Sequence, residues 1–367
     1  MLASGEWAPW FSARALNGNP RFRFDTVAGR PILMLFAGSS RWPYSQKAIA
    51  LAALNRHRFD DRRASFFGVS IDPDDVADGQ IASYRPGSHW FLDDDHAVSH
   101  LFGAVRRVVG EDTYVPHWLV LDPMLRVVRS LPIDCGEEAL ALLEATVAQA
   151  QPLPAPVLIV PDVLDKQMCA TLVAHHNQRG GSDSGFMRDI DGRTELGIDH
   201  SLKCRSDISL EDAGLINAMR DAIGRSIVPA IQRAYHYRVE HIERFLVACY
   251  DGDATDGDGK ALCGHFRPHR DNTTLATAHR AFACSIHLNS GDYEGGGLRL
   301  PEFGPQLYSA PAGSALIFSC SLLHEVTPVT RGKRYVFLPF LYNAEGERIR
   351  QANIAHLAPT PAIRPAA

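Results

Sequence analysis

His269, Asp271 and His324 are the residues of this 367-residue chain whose types and spacing carry the clearest chemistry. The first two form a His-x-Asp pair, and on an extended strand residues i and i+2 point to the same side. One imidazole and one carboxylate can therefore address one cation. His324, in Leu322-Leu323-His324-Glu325-Val326-Thr327-Pro328-Val329, opens another strand-like stretch and offers a third ligand. Two histidines and a carboxylate on one face leave three coordination positions open, an arrangement suited to non-haem Fe(II). The tripeptide alone is weak evidence in a chain with 16 histidines. Its weight comes from Arg334, ten residues beyond His324, on a strand able to return to the same pocket. A planar guanidinium grips a carboxylate with two parallel hydrogen bonds.

The elements that must position these residues lie beyond a seam. Four prolines in Ala148 to Leu164 (AQAQPLPAPVLIVPDVL) place it near Pro152, giving domains 1–151 and 152–367. After it, helical spacing over Asp165 to Gln178 and Asp212 to Tyr235 gives way to strand-like runs punctuated by glycines. Those runs are Arg244 to Tyr250, Ala281 to Asn289, Gly297 to Leu300, Ser314 to Ser319 and Arg334 to Tyr342. Their spacing predicts a jelly roll with flanking helices. The run Asp251 to Lys260 (DGDATDGDGK) reads as a Gly/Asp loop without the terminal Glu or flanking helices of a calcium loop. Residues 179–203 are polar, glycine-rich and without clear period, the composition of a loop that closes over a substrate.

Over residues 245–342 the sequence resembles the 2-oxoglutarate- and Fe(II)-dependent dioxygenases, in their prolyl 4-hydroxylase-like branch. The resemblance rests on Tyr250; Gly264 with His269 and Asp271; Leu288-Asn289 with Tyr293-Glu294-Gly295-Gly296; Pro311-Ala312-Gly313-Ser314; His324 to Val329; and Arg334. More loosely it reaches back through Cys204-Arg205-Ser206-Asp207 to about Ala155. It implies a double-stranded β-helix with Fe(II) held by His269, Asp271 and His324. It further implies 2-oxoglutarate with its C5 carboxylate on Arg334 and a hydrogen bond from Tyr250. Dioxygen would be the other cosubstrate and ascorbate a candidate reductant. The implied reaction hydroxylates an unactivated C–H of a peptidyl, amino-acid or small-molecule substrate, with release of succinate and carbon dioxide. Many prolyl hydroxylases carry lysine where Arg334 stands, so the basic residue does not narrow the subfamily.

Neighbouring residues have plainer readings beside functional ones. His265 shares strand parity with His269 and lines the pocket or faces solvent. His287 and Ser285 alternate on one strand and could face the cosubstrate. Arg299 meets an acidic substrate group or is a solvated strand charge, and Arg331 and Lys333 read as solvated charges opposite in parity to Arg334. The competing reading of the whole half is a catalytically silent module that binds metal and 2-oxoglutarate.

Before the seam, apolar runs at Pro31 to Ala37, Ser65 to Ile71, Trp118 to Asp122 and Val127 to Leu131 alternate with helical spacing over Gln46 to Asn55 and Glu137 to Ala150. That alternation predicts an α/β domain around a central sheet. Gly5 to Phe11, Gly29 to Phe36, Phe67 to Asp72, Phe91 to Asp95 and Tyr114 to Asp122 together resemble the thioredoxin-like peroxiredoxin family. The nucleophile position of that family falls on Pro43-Tyr44-Ser45, where the cysteine is a serine. A serine hydroxyl supplies no thiolate near neutral pH, so a thiol peroxidase is disfavoured and a non-catalytic domain expected. Trp42, Tyr44, His117 and Trp118 are expected to gather on the former active-site face. The resemblance also suggests pairing through sheet edges, hence a homodimer.

Composition bounds the rest. With 46% hydrophobic and 22% charged residues and a net charge of −5, the chain is globular and lacks the basic footprint of a nucleic-acid or lipid-surface protein. No apolar stretch approaches the roughly 20 residues of a membrane span. The amino terminus has no basic, apolar leader pattern, and seven cysteines without a CxxC pair suit a reducing compartment. The expected location is the cytoplasm.

Overall fold

The computed structural model describes residues 1–16, 18–108, 111–190, 192–255 and 261–357. The chain divides into two compact units, Met1–Leu153 with Pro301–Gly304, and Pro154–Leu300 with Pro305–Ala367. Among the described residues every cysteine is a free thiol, and no helix is long and apolar enough to cross a membrane.

The first unit is thioredoxin-like. Its central strands, Ile32–Gly38, Ser65–Ser70 and Ser88–Leu92, run parallel, and His117–Leu121 and Val127–Pro132 extend the sheet antiparallel. The parallel strands are near-continuous apolar runs because helices or rings cover both faces. On one face Leu33, Leu35, Phe66, Trp118 and Val120 pack against Ala48 and Ala52 of the helix Pro43–Leu54 and Ala139, Leu140 and Leu143 of Gly136–Gln149. The other face is aromatic: Phe24, Phe67 and Phe91 meet with ring centroids 5.4–6.2 Å apart.

Ser45 lies in the first turn of the helix Pro43–Leu54, fully buried, and its hydroxyl donates to the Ala37 carbonyl at 2.6 Å. Trp42 covers Gly38, where a Cβ would lie 2.0 Å from the indole, and it tilts against Tyr44 and Tyr114. His117 stacks on Phe36 at 4.7 Å. Trp118 does not join that group. Strand alternation turns it into the helix-side core, where its indole N–H donates to the Ile133 carbonyl.

The second unit is a double-stranded β-helix. Its larger sheet places Leu158–Val160, Ala315–Ser319, Phe282–His287, Lys333–Phe337, Leu246–Asp251, Ser206–Ser209 and Ser182–Asp183 in that order. The smaller one places Lys203–Cys204, His265–His269, His324–Val326, Leu298–Arg299 and Leu307–Tyr308. On the outer face of the larger sheet, Val247, Cys249, Cys284, Ile286, Ile317 and Phe337 pack against the helices Lys166–Arg179 and Ala213–Ala222. Asp165 and Asp212 cap those helices, accepting from the backbone of Met168 and Leu215. The alternate residues, Leu246, Ala248, Tyr250 and Val336, face the barrel interior with Val326 and Val329.

Three departures from the sequence pattern have local causes. The helix expected over Asp212 to Tyr235 loosens to a π-turn at Ile223–Ile227 before Val228–Tyr235 begins. Pro229 cannot donate an i→i−4 hydrogen bond there. The strand expected over Arg334 to Tyr342 is two strands, Lys333–Phe337 and Phe340–Tyr342, interrupted at Pro339 for the same reason. The stretch 179–203, apart from residue 191 outside the described residues, contains a regular hairpin of Phe186–Ile190 and Arg193–Gly197. Of the Asp251 to Lys260 run, residues 256–260 lie outside the described residues.

Ser45→Ala should lower the stability of the full chain by about 1 kcal/mol, because it leaves the buried Ala37 carbonyl unpaired. Urea unfolding of the two proteins measures this, and an unchanged midpoint would contradict the hydrogen bond.

Candidate metal centre

The strand His265–His269 runs antiparallel to His324–Val326, and His269 pairs directly with His324. That register brings the rings to a centroid distance of 4.2 Å. Asp271 follows two residues later, its N–H donating to the Cys320 carbonyl. Ligand atoms of His269, Asp271 and His324 all lie within 4.8 Å of one another, and among the described residues this is the one such cluster. His269 Nε2 is 3.6 Å from one Asp271 oxygen and His324 Nε2 is 3.3 Å from the other.

The two imidazoles are oriented in the same way. His269 Nδ1 lies 2.7 Å from the Arg267 carbonyl, and His324 Nδ1 lies 3.0 Å from the Leu322 carbonyl. Each Nδ1–H donates to its carbonyl, which fixes the tautomer and leaves Nε2 with a free lone pair toward Asp271. Burial, then the neighbouring His324, pushes the His269 imidazole down to about 4, which keeps it neutral as a ligand must be. Burial works to raise the Asp271 pKa, but His324 and His269 overcome it and hold the carboxyl well below its ordinary range. Nitrogen, nitrogen and oxygen donors on one side, with no fourth protein ligand among the described residues, fit a non-haem Fe(II) site with open positions.

Arg334 and Tyr250 pair across neighbouring strands of the larger sheet, and the guanidinium lies 5.1 Å from the phenol ring. Arg334 is 2% exposed, yet Nε and Nη1 have no hydrogen-bond partner. Gly296 makes room for it. With φ +66°, a Cβ there would lie 2.8 Å from both Arg334 Cδ and Val329 Cγ2. His287 Nε2 and Ser285 Oγ, on the parity that faces this interior, are also buried without partners. Burial, then the Arg334 charge, lowers the His287 imidazole to about 3. Buried polar atoms are normally satisfied, so these orphans mark the place of a polar ligand. A carboxylate beside Arg334 fits them.

The remaining candidates fall outside this group. His265 is bound to the carbonyls of Cys263 and Ser201. Arg299 pairs with Glu325, Arg331 with Glu294, and Lys333 with Asp251. The motifs alone gave no role to Arg280. Its Nη1 donates to the Asp271 carbonyl at 3.3 Å while two other nitrogens clamp Glu243. Arg205 is likewise revealed by the fold: it pairs with Asp207 at 2.6 Å and donates to Tyr250 Oη at 3.3 Å. The i, i+2 parity of Arg205 and Asp207 was the available signal, once Ser206–Ser209 is known to be a strand.

Comparison with known proteins accords with this geometry. Residues 259–342 match the family model described as the 2OG-Fe(II) oxygenase superfamily, so the second unit contains an oxygenase domain of that kind. A PKHD-type hydroxylase of Synechococcus sp. (strain JA-2-3B'a(2-13)) is 31% identical over 104 residues, 27% of this chain and 42% of that protein. The chain thus spans less than half the length of that relative. A prolyl hydroxylase of Trichoplax adhaerens, solved with a hypoxia inducible factor peptide fragment, covers 53% of this chain and 86% of its own at 17% identity and TM-score 0.41. The peroxidoxin BcpB of Mycobacterium tuberculosis covers 40% of this chain and 98% of its own at 22% identity and TM-score 0.33.

His324→Ala should weaken Mn(II) binding by more than about a hundred-fold, since even an outer-shell partner is typically worth ten- to a hundred-fold. Calorimetric titration reads this, and an affinity within a few-fold of wild type would remove His324 from the ligand set.

Proposed function

We propose that the protein is an Fe(II)- and 2-oxoglutarate-dependent dioxygenase that hydroxylates an unactivated C–H of a peptidyl, amino-acid or small-molecule substrate. The observation that carries this reading is Arg334, a buried guanidinium whose Nε and Nη1 lack hydrogen-bond partners, in the same barrel as the His-Asp-His cluster. Iron bound with 2-oxoglutarate and dioxygen supplies the oxidising power, one oxygen atom going to the C–H as succinate and carbon dioxide are released. His269, Asp271 and His324 would hold the metal, with Arg280 steadying the backbone of Asp271. Arg334 would take the C5 carboxylate of 2-oxoglutarate in charge-assisted hydrogen bonds. Arg205 donates to Tyr250 Oη, so the Tyr250 hydroxyl keeps its own proton to donate toward the same carboxylate. Ascorbate is a suitable reductant for keeping the metal ferrous.

The hairpin Phe186–Gly197 is pinned beside this centre. Asp189 accepts from the Leu275 N–H, and Thr194 Oγ1 accepts from the Ala276 N–H, just beyond the His-x-Asp strand. With Leu196 exposed on it and Ile198 exposed just beyond, it stands as a wall for the substrate rather than as an irregular lid. The first unit serves a non-catalytic role, since its peroxidatic position is Ser45. Its remaining cysteine, Cys135, has a thiol pushed up by desolvation and by Asp134 and Glu138. Free thiols throughout suit a reducing compartment such as the cytoplasm, and pairing of first units through sheet edges would give a homodimer.

Succinate formation from 2-oxoglutarate tests the reading. Asp271→Ala should abolish it, and Arg334→Ala should raise the KM for 2-oxoglutarate by about a hundred-fold, the scale of losing one partner of a buried charge pair. Gly296→Ala should act in the same direction, because its Cβ displaces the Arg334 side chain. Unchanged KM in both variants would contradict the assignment of Arg334.

A further inference from the structure

Basic side chains stand around the metal cluster in the second unit; besides Arg270, which has partners of its own, they include Lys203, Arg205, Arg244, Arg280 and Arg334. Two are neutralised, Arg205 by Asp207 at 2.6 Å and Arg280 by Glu243 at 2.5 Å. Asp271 belongs to the metal cluster, and Arg334 is assigned above to the cosubstrate. Lys203 and Arg244 remain, and neither has a carboxylate partner among the described residues. Lys203 is 5% exposed, and its Nζ donates to the Gly185 carbonyl at 2.5 Å. Arg244 donates Nε to the Leu338 carbonyl, and its guanidinium lies 4.3 Å from the Phe340 ring.

Each is linked to the metal cluster through an aromatic ring. Lys203 Nζ is 4.8 Å from the Phe266 ring, the ring on which His269 stacks at 3.4 Å. Arg280, which holds the Asp271 carbonyl, lies 4.0 Å from the same Phe340 ring as Arg244. Burial first, then the charges of Arg205 and Arg244, pushes the Lys203 amine well below the ordinary lysine range, with Asp207 and Asp271 acting the other way. A buried amine such as Lys203 avoids the cost of a lone charge by giving up its proton, and half-buried Arg244 keeps its charge against solvent; an anion placed beside them would restore the ammonium and pair the guanidinium. The described residues do not supply that anion, and 2-oxoglutarate has no charge left for it once its carboxylates face the metal and Arg334.

We propose that Lys203 and Arg244 form the anion-recognising part of the substrate site, so that the substrate is a small acid or amino acid presenting its carboxylate beside the metal ligands. This rests on the dioxygenase reading of the centre. The depth of Lys203 favours a terminal carboxylate on a small molecule over an internal segment of a polypeptide. In this arrangement the carboxylate fixes the orientation of the substrate, and the C–H presented to the metal lies within a few bonds of it.

The test is the melting temperature of the full chain, loaded with Mn(II) and saturating 2-oxoglutarate, in titrations with acetate and N-acetylglycine. Acetamide and N-acetylglycinamide are the neutral controls. Expected is a saturable rise with the acids and none with the amides. In Lys203→Gln and Arg244→Gln the rise should fall to that of the amides, while the shift from 2-oxoglutarate itself is kept. Lys203→Gln retains a donor for Gly185 and Lys203→Arg retains the charge, so the acid response should return in Lys203→Arg. Equal responses to acids and amides, no acid response in wild type, or an acid response that survives both Gln substitutions would overturn the proposal. Failure of wild type to respond to Mn(II) and 2-oxoglutarate would instead overturn the metal-centre reading, independently of the acids.

Discussion

The pairing of His269 with His324 across two antiparallel strands is the constraint on which the rest of this centre depends. It is a backbone register, set by ladder hydrogen bonds rather than by the imidazoles themselves. A slip of one residue by either strand would turn its ring to the other side of the sheet. The carbonyls of Arg267 and Leu322 then fix which nitrogen of each ring is free. Asp271 reaches the same point because its N–H is tied to Cys320 and its carbonyl to Arg280. Three ligands are therefore pre-positioned by main-chain contacts, which lowers the reorganisation that a metal would otherwise demand.

A second constraint is electrostatic. The barrel interior carries basic groups that no carboxylate of the described residues pairs, Arg334 first among them. Where pairs exist they are tight, as for Arg280, which clamps Glu243 through two nitrogens. Burial works to raise the Glu243 pKa, but the hydrogen bonds from His279 and Arg280 overcome it and hold the carboxyl below its usual range. Lone cations such as Arg334 are tolerated because the surrounding barrel over-determines their place. Such groups lower the stability of the ligand-free protein and raise the gain on binding anions, the exchange expected at functional sites.

Much of this was legible in the residues. The His-x-Asp pair and His324 come together as their types suggested, although Asp271 stands in a turn past the end of its strand rather than on it, and Arg334 and the glycine-punctuated strands follow local rules of strands and turns. The first unit was legible for the same reason, although its helix begins at Pro43 rather than at Gln46 and so takes in Ser45. Less legible were the features made by distant contacts. The hairpin Phe186–Gly197 has mixed polar and apolar residues on both faces, so its alternation is faint, and it is defined by its attachment to Leu275 and Ala276. Lys203 ends the polar stretch 179–203 and Arg205 follows it, and only the pairing of the strands around them turns them inward. Trp118 was assigned to the wrong face of its sheet because its neighbour His117 takes the one expected.

The most direct test of the central claim is anaerobic titration of the protein with Fe(II) and then 2-oxoglutarate, followed in the visible spectrum. A weak charge-transfer band that appears only with both components, and is lost in His269→Ala, is the result expected of a cosubstrate chelated at this cluster. Absence of the band in folded, iron-loaded protein would contradict it and leave the cluster as a metal site of another kind.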